Sequence, residues 1–162
     1  MTLQPCAGDG FEHRLVRPMQ FTDLEAVVAI EARTFTLPWS LAVFTGQIAR
    51  SSGIALVCEV EGETVAYLIA DMFVDVWHLM NLAVREDCRR RRFGSELLEA
   101  DFSSPERHPH RGHTLEVRTS NAGAIELYKS FGVVTTGVRP GYYSDDHEDA
   151  VIMWRDWEGD SA

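Results

Sequence analysis

The chain reads as α/β, a single mixed sheet with helices on both faces. Three observations lead there. Segments with strand patterning alternate with segments of helical spacing, in the order strand, two helices, three strands, helix, strand, helix, two strands. Two of the three consecutive strands are joined by Glu61-Gly-Glu63, a hairpin-length turn. An apolar run at 77–84 enters a turn of four arginines, then a glycine and an amphipathic helix. At 162 residues the chain is long enough to bury a core as one domain.

Residues 1–12, with Pro5, Gly8 and Gly10, read as a loose tail, 13–158 as the domain and 159–162 as a short C-terminal tail. Residues 15–19 form a first strand. Thr22 or Asp23 then caps a helix whose Leu24, Val27, Val28, Ala29 and Ile30 share one face. The turn Phe35-Thr-Leu-Pro-Trp39 ends on Ser40, an N-cap for a second helix carrying Val43, Phe44 and Ile48. Strands at 54–60 and 64–72 make the hairpin, and 77–84 follows. A helix over about 92–102 is stopped by Ser103-Ser-Pro105, and a polar loop leads to a strand at 114–118. Residues 121–131 are helical and closed by Gly132. The last strands are 133–143 and 150–154, with an acidic turn between them.

Composition narrows the partners. With 25 acidic and 15 basic residues the net charge is −10, which repels nucleic acid and suits a basic partner. Cys6, Cys58 and Cys88 form neither a zinc-type pair nor a disulfide framework. Residues 1–10 lack the basic start and apolar core of a signal peptide, and no stretch approaches a membrane span. A reduced, cytoplasmic setting is expected.

Against that acidic background the arginine turn is a local exception. A helix N-terminus presents backbone N–H groups without intrahelical partners and the positive end of the dipole. Adding Arg89, Arg90, Arg91 and Arg92 makes a receptor for a group with several phosphates, the alternative being a solvated face or a nucleic-acid patch. On the strand 114–118, Leu115 and Val117 point one way and Thr114, Glu116 and Arg118 the other. Burial would raise the pKa of Glu116 toward that of a general base, unless Arg118 or another cation pairs with it. Asn121 stands where a helix begins and reads as its cap. Tyr128 shares a stripe with Ala124, Leu127 and Phe131; it either packs in the core or donates a proton at the end of a cleft. His108, His110 and His113 read as an exposed polar loop rather than a metal set. Cys88 reads as a small buried filler beside the arginine turn, the alternative being a reactive thiol. Asp145, Asp146, Glu148 and Asp149, after Tyr142-Tyr143, are either a solvated turn or a rim that attracts a cationic peptide.

Five segments together resemble the GCN5-related N-acetyltransferases (GNAT). They are Phe35-Thr-Leu-Pro-Trp-Ser40; Asn81-Leu-Ala-Val84; the turn and helix start at 89–98; Leu115-Glu-Val-Arg-Thr-Ser-Asn-Ala122 with Ala124-Ile-Glu-Leu-Tyr128; and Tyr142-Tyr143 with Glu148-Asp-Ala-Val-Ile-Met153. The Pro-Trp-Ser turn and the Tyr-Tyr…Glu-Asp-Ala ending are similar to the RimI-type ribosomal-protein-alanine N-acetyltransferases within that family.

The resemblance implies a mostly antiparallel sheet and acetyl-coenzyme A as donor, with no metal. It implies that the backbone of Leu82, Ala83 and Val84 pairs with the pantetheine arm. It further implies that Arg89, Arg90, Arg91, Arg92, Phe93 and Gly94 hold the pyrophosphate, and that Asn121 touches the cofactor arm. By the same resemblance Glu116 is the base and Tyr128 protonates the departing thiolate, while Trp39, Tyr142 and Tyr143 receive a basic protein N-terminus, that of a ribosomal protein. A broader N-terminal, lysine or polyamine acetyltransferase stays open, as does a non-catalytic acyl-coenzyme A sensor or interaction subunit. The family's loop carries its first glycine where this chain has Arg92. Held at positive φ, an arginine there costs roughly 1 kcal/mol relative to glycine. The family's helix also runs on where this chain has the segment 105–112.

Overall fold

A computed structural model describes residues 13–104 and 111–157. Along them run β1 (Arg14–Pro18), α1 (Leu24–Thr34), α2 (Leu41–Ala49), β2 (Gly53–Val60), β3 (Glu63–Phe73), β4 (Val76–Val84), α3 (Phe93–Phe102), β5 (Gly112–Arg118), α4 (Ala122–Ser130), β6 (Val134–Arg139) and β7 (Ala150–Asp156). The strands hydrogen-bond in the order β1-β2-β3-β4-β5-β7-β6. β1 with β2, β5 with β7 and β6 with β7 run antiparallel, and β4 with β5 runs parallel. This is the mixed, mostly antiparallel sheet with flanking helices that the sequence predicts.

The chain divides into two compact units. The first comprises the described residues up to Ile69 together with Asn81–Ser103. Its core holds Val27, Ile30, Phe44, Val57, Leu68 and Leu97, all buried. Each such side chain contributes roughly 1.5–3 kcal/mol by leaving water. The β2–β3 hairpin turns on Glu61 and Gly62, both at positive φ (50° and 79°), the backbone that a two-residue hairpin needs for the strand twist. Ser40 caps α2 as expected, its hydroxyl accepting the Val43 N–H at 3.4 Å. The start of α1 differs from expectation. Phe21–Asp23 forms a 3₁₀ turn, and the Asp23 carboxylate faces back to the Gln20 N–H (2.8 Å) and the Arg17 guanidinium (2.7 and 2.8 Å) instead of capping α1. A buried carboxylate beside an arginine is held by that charge before it is free to cap.

The second unit comprises Ala70–Met80 with the described residues from Ser104 onward. β5 and β7 pair from Gly112↔Asp156 to Arg118↔Ala150. The parallel ladder to β4 covers Val76, Trp77 and His78. A Cβ at Gly112 would stand 2.4 Å from the Arg155 carbonyl oxygen and 2.6 Å from the Trp154 ring, so the strand begins at a residue without one. His113 is buried on β5, sharing the inward face with Leu115 and Val117, and is not part of an exposed loop. Starting the strand two residues early puts it in phase with them. His108 and His110 lie outside the described residues. The strand expected over 133–143 ends at Arg139, because the following turn bonds its own backbone to acidic side chains.

Candidate active site

Period-two alternation on β5 turns Thr114, Glu116 and Arg118 away from the core face. Glu116 is only 11% exposed, yet it is not the raised-pKa carboxyl that burial alone predicts. Its Oε2 lies 2.6 Å from Nε2 of His78 on β4, and its Oε1 lies 3.4 Å from Nε of Arg139 on β6. The hydrogen bond with His78, with Arg139 adding to it, holds the Glu116 pKa below the ordinary carboxylate value, outweighing burial. His78 on β4 and Arg139 on β6, two strands away across β7, decide the sign. Arg118, the partner suggested by adjacency, is engaged elsewhere.

Arg118 is the hub of the β6–β7 turn. Its guanidinium pairs with Asp145 (2.7 Å), Asp146 (3.0 Å) and Glu148 (3.4 Å) and lies over the Tyr143 ring. Glu148 also accepts from Thr119 Oγ1 (3.0 Å) and the Ser120 N–H (2.8 Å), and Asp149 accepts from the Gly141 N–H (2.8 Å). The cluster lies in a mostly exposed turn, as the solvated-turn reading has it, and its carboxylates shape that turn through Arg118 and nearby N–H groups. Tyr142 and Tyr143 are set edge to face at 5.1 Å, Tyr142 exposed and Tyr143 half-buried.

Tyr128 is buried on α4, among the apolar stripe that its spacing predicts. Burial, with the nearby Tyr143 adding to it, raises its pKa, so the phenol keeps its proton at neutral pH. Asn121 caps α4, its side-chain oxygen accepting the Ala124 N–H at 3.2 Å.

The first unit carries the arginine turn. Arg90 and Arg92 both adopt left-handed backbone, φ 63° and 69°. Arg92 is the N-cap of α3, and the first intrahelical bond runs from the Glu96 N–H to the Arg92 carbonyl. The N–H groups of Phe93, Gly94 and Ser95 thus have no helical carbonyl to meet. Residue types and backbone fit the diphosphate of a coenzyme. Arg14 of β1 braces the loop: its guanidinium donates to the Arg91 carbonyl at 2.6 Å, pairs with Glu96 at 3.2 Å and lies 4.1 Å from the Phe93 ring centroid. The Arg89 guanidinium bonds the Val84 carbonyl at 3.2 Å, and Cys88 is a buried filler. Leu82, Ala83 and Val84 form the end of β4. Ala26, Ala29, Ile30, Arg33, Arg85 and Arg89 line part of a cleft of about 360 Å³ in this unit.

Trp39 is set by a buried carboxyl that sequence reasoning missed. Glu31 on α1, 1% exposed, accepts the Trp39 N–H at 3.1 Å, the Asn81 amide at 2.8 Å and the Tyr67 hydroxyl. The Trp39 ring packs at 5.4 Å on Phe44. Glu31 sits four residues from Val27 on the apolar face of α1, and a charged residue in phase with a core stripe was the available signal. His78 was missed as well; its place on a strand next to the Glu116 strand became visible only through the register. Among the described residues, no group of three or more His, Cys, Asp or Glu side chains is placed to hold a metal ion, and no helix is long and apolar enough to cross a membrane.

Residues 24–133 match the family described as Acetyltransferase (GNAT) family. The chain is 36% identical over 141 residues to the [Ribosomal protein bS18]-alanine N-acetyltransferase of Escherichia coli strain K12, spanning 85% of this chain and 94% of that one. It is 30% identical over 160 residues to the N-alpha-acetyltransferase of Sulfurisphaera tokodaii, spanning 91% of this chain and 95% of that one. The crystal structure of the ribosomal-protein-S18-alanine N-acetyltransferase from Escherichia coli superposes with a TM-score of 0.81 at 32% identity, over 93% of this chain and 99% of the other. The chain belongs to the GNAT acetyltransferase family. It is an N-acetyltransferase whose co-substrate is acetyl-coenzyme A.

Proposed function

We propose that this enzyme acetylates the α-amino group of a protein N-terminus, that of a small-subunit ribosomal protein beginning with alanine, in the cytoplasm. The observation that carries the reading is the similarity to the E. coli bS18-alanine enzyme along most of both chains.

We take 13–158 as one acetyltransferase domain. Leu82, Ala83 and Val84 offer strand amides to the pantetheine arm and the developing oxyanion. The amides of Arg89, Arg90, Arg91, Arg92, Phe93 and Gly94 receive the diphosphate, and Asn121 touches the arm. Trp39, Tyr142 and Tyr143 receive the acceptor's first residues. Glu116, with His78, manages the acceptor's proton, and Tyr128 protonates the departing thiolate. An α-amino group, with pKa about 7.7–8.0, is roughly a tenth neutral at pH 7, whereas a lysine near 10.4 is below a thousandth. An N-terminus therefore asks little of a depressed carboxylate.

The archaeal relative favours one second reading, a broader N-terminal acetyltransferase. Peptides that share a basic body and differ only in the first residue separate the two. A strong preference for alanine supports the narrow reading; equal rates on alanine, serine and methionine support the broad one.

A further inference from the structure

We propose that the acceptor-side proton is carried by His78, and that Glu116 is the carboxylate that holds and orients its imidazole. This deepens the N-terminal acetylation reading and rests on it.

Both Glu116 oxygens are already engaged, Oε2 with His78 Nε2 at 2.6 Å and Oε1 with Arg139 Nε at 3.4 Å. A carboxylate facing two such neighbours is a weak proton acceptor near neutrality. Histidine is the side chain suited to take a proton there, and a carboxylate on one ring nitrogen fixes the tautomer that leaves the other open. With Nε2–H donating to Glu116, Nδ1 of His78 is the free base. Access agrees: the His78 side chain is 29% exposed against 11% for Glu116. Phe73 stands edge-on to the imidazole at 5.9 Å, an apolar wall that limits its tilt. Among the described residues, the charged and titratable groups bearing on the pair are Arg139 from β6, on Glu116, and Tyr143 from the β6–β7 turn, whose phenol feels the Glu116 charge. Arg118, on the same face of β5, is turned to its own acidic partners.

In the overall step an alkylammonium and the thioester give an amide, a thiol and one proton. The C–N bond forms and the C–S bond breaks. Nitrogen gives up two protons, of which one is balanced by protonation of sulfur through Tyr128. His78 takes the other on Nδ1, is held as imidazolium by Glu116, and releases it to solvent. Neither residue is altered over a turnover.

The test is the pH dependence of kcat at saturating alanine-starting peptide and acetyl-coenzyme A, for wild type, His78→Gln, His78→Ala and Glu116→Gln. His78→Gln keeps a donor toward Glu116 but has no basic nitrogen. Its kcat is expected to fall about a hundredfold or more, losing the ascending limb while KM for acetyl-coenzyme A stays within about twofold. Free imidazole is expected to restore part of the rate to His78→Ala. Glu116→Gln is expected to lower kcat while keeping the ascending limb, because the basic nitrogen remains and only its orientation is lost. A His78→Gln profile of wild-type shape, within about threefold in rate, overturns the proposal alone. So does loss of the limb in Glu116→Gln only, or His78→Ala that imidazole leaves unchanged. Wild type that ignores the free N-terminus while consuming another acceptor overturns the N-terminal reading itself.

Discussion

The guanidinium carbon of Arg118 lies 3.9 Å from the centre of the Tyr143 ring, while its nitrogens reach the carboxylates of Asp145, Asp146 and Glu148. One side chain thus orients the aromatic residue of the turn proposed to receive the acceptor and gathers the acidic residues around it. Lysine has neither the planar face nor the fork to do both. Arg118→Lys and Arg118→Met are both expected to raise KM for the peptide several-fold, for a loss of about 1 kcal/mol, with KM for acetyl-coenzyme A unchanged. Steady-state kinetics with each substrate varied in turn checks this. A rise confined to acetyl-coenzyme A would count against the assignment.

The same turn carries a pH signature. Hydrogen bonds from Ser120, then Thr119 and Arg118, hold the Glu148 carboxyl down to about 2 from an ordinary 4.5. A folded-state value below the unfolded one stabilises above the unfolded pKa and ceases to as pH falls through the folded one. The difference in Tm between wild type and Glu148→Gln is expected to be constant above about 4.5, to shrink below it, and to vanish near about 2. A difference that persists at the acid end would contradict the arrangement.

Arg92 stands in left-handed backbone, φ 69°, at the position where the resemblance leads one to expect a glycine. Arg92→Gly is expected to raise the unfolding free energy by about 1 kcal/mol, while Arg92→Ala, which keeps the backbone cost, does not. Urea denaturation of the three proteins decides it. Equal stability of the glycine and alanine variants would show that the conformation costs nothing here.

Arg14 meets the arginine turn, the proposed coenzyme loop, through the Arg91 carbonyl, Glu96 and the Phe93 ring. Arg14→Met is expected to raise KM for acetyl-coenzyme A about threefold to tenfold, the loss of one or two hydrogen bonds, with kcat nearly kept. A fall in kcat at unchanged KM would place its effect elsewhere.

Glu31 collects three donors inside the first unit: the Trp39 N–H, the Asn81 amide and the Tyr67 hydroxyl. Glu31→Ala leaves all three without that acceptor and is expected to cost about 3 kcal/mol or more; Tyr67→Phe, which removes one donor, is expected to cost about 1 kcal/mol. Denaturant titration reads both.

Sequence periodicity carried the strands and helices because each buries one face, and the caps at Ser40 and Asn121 could be read from residue type and place. The same alternation put Glu116 and Arg118 on one face but could not say what stood beside them. Alternation left Glu116 open between a pKa raised by burial and pairing with a cation, because its partners belong to other strands: His78 is 38 positions away, and sheet register alone brings them together. The acidic turn was legible as a turn, but the arginine from β5 that gathers its carboxylates was not, since Arg118 lies 27–30 positions earlier. Burial of His113 escaped notice because the strand was begun at 114, leaving it in the preceding loop. Arg92 was legible as a departure, since a side chain at a glycine position raises the question of φ whatever the fold.

Acetyl transfer to a free protein N-terminus is tested most directly by thiol release from acetyl-coenzyme A with a basic peptide starting in alanine, beside the same peptide with its N-terminus blocked. Turnover is expected with the free peptide alone, and mass spectrometry should place a single acetyl group on the α-nitrogen. Equal turnover on the blocked peptide, with the acetyl group on a lysine, would contradict it.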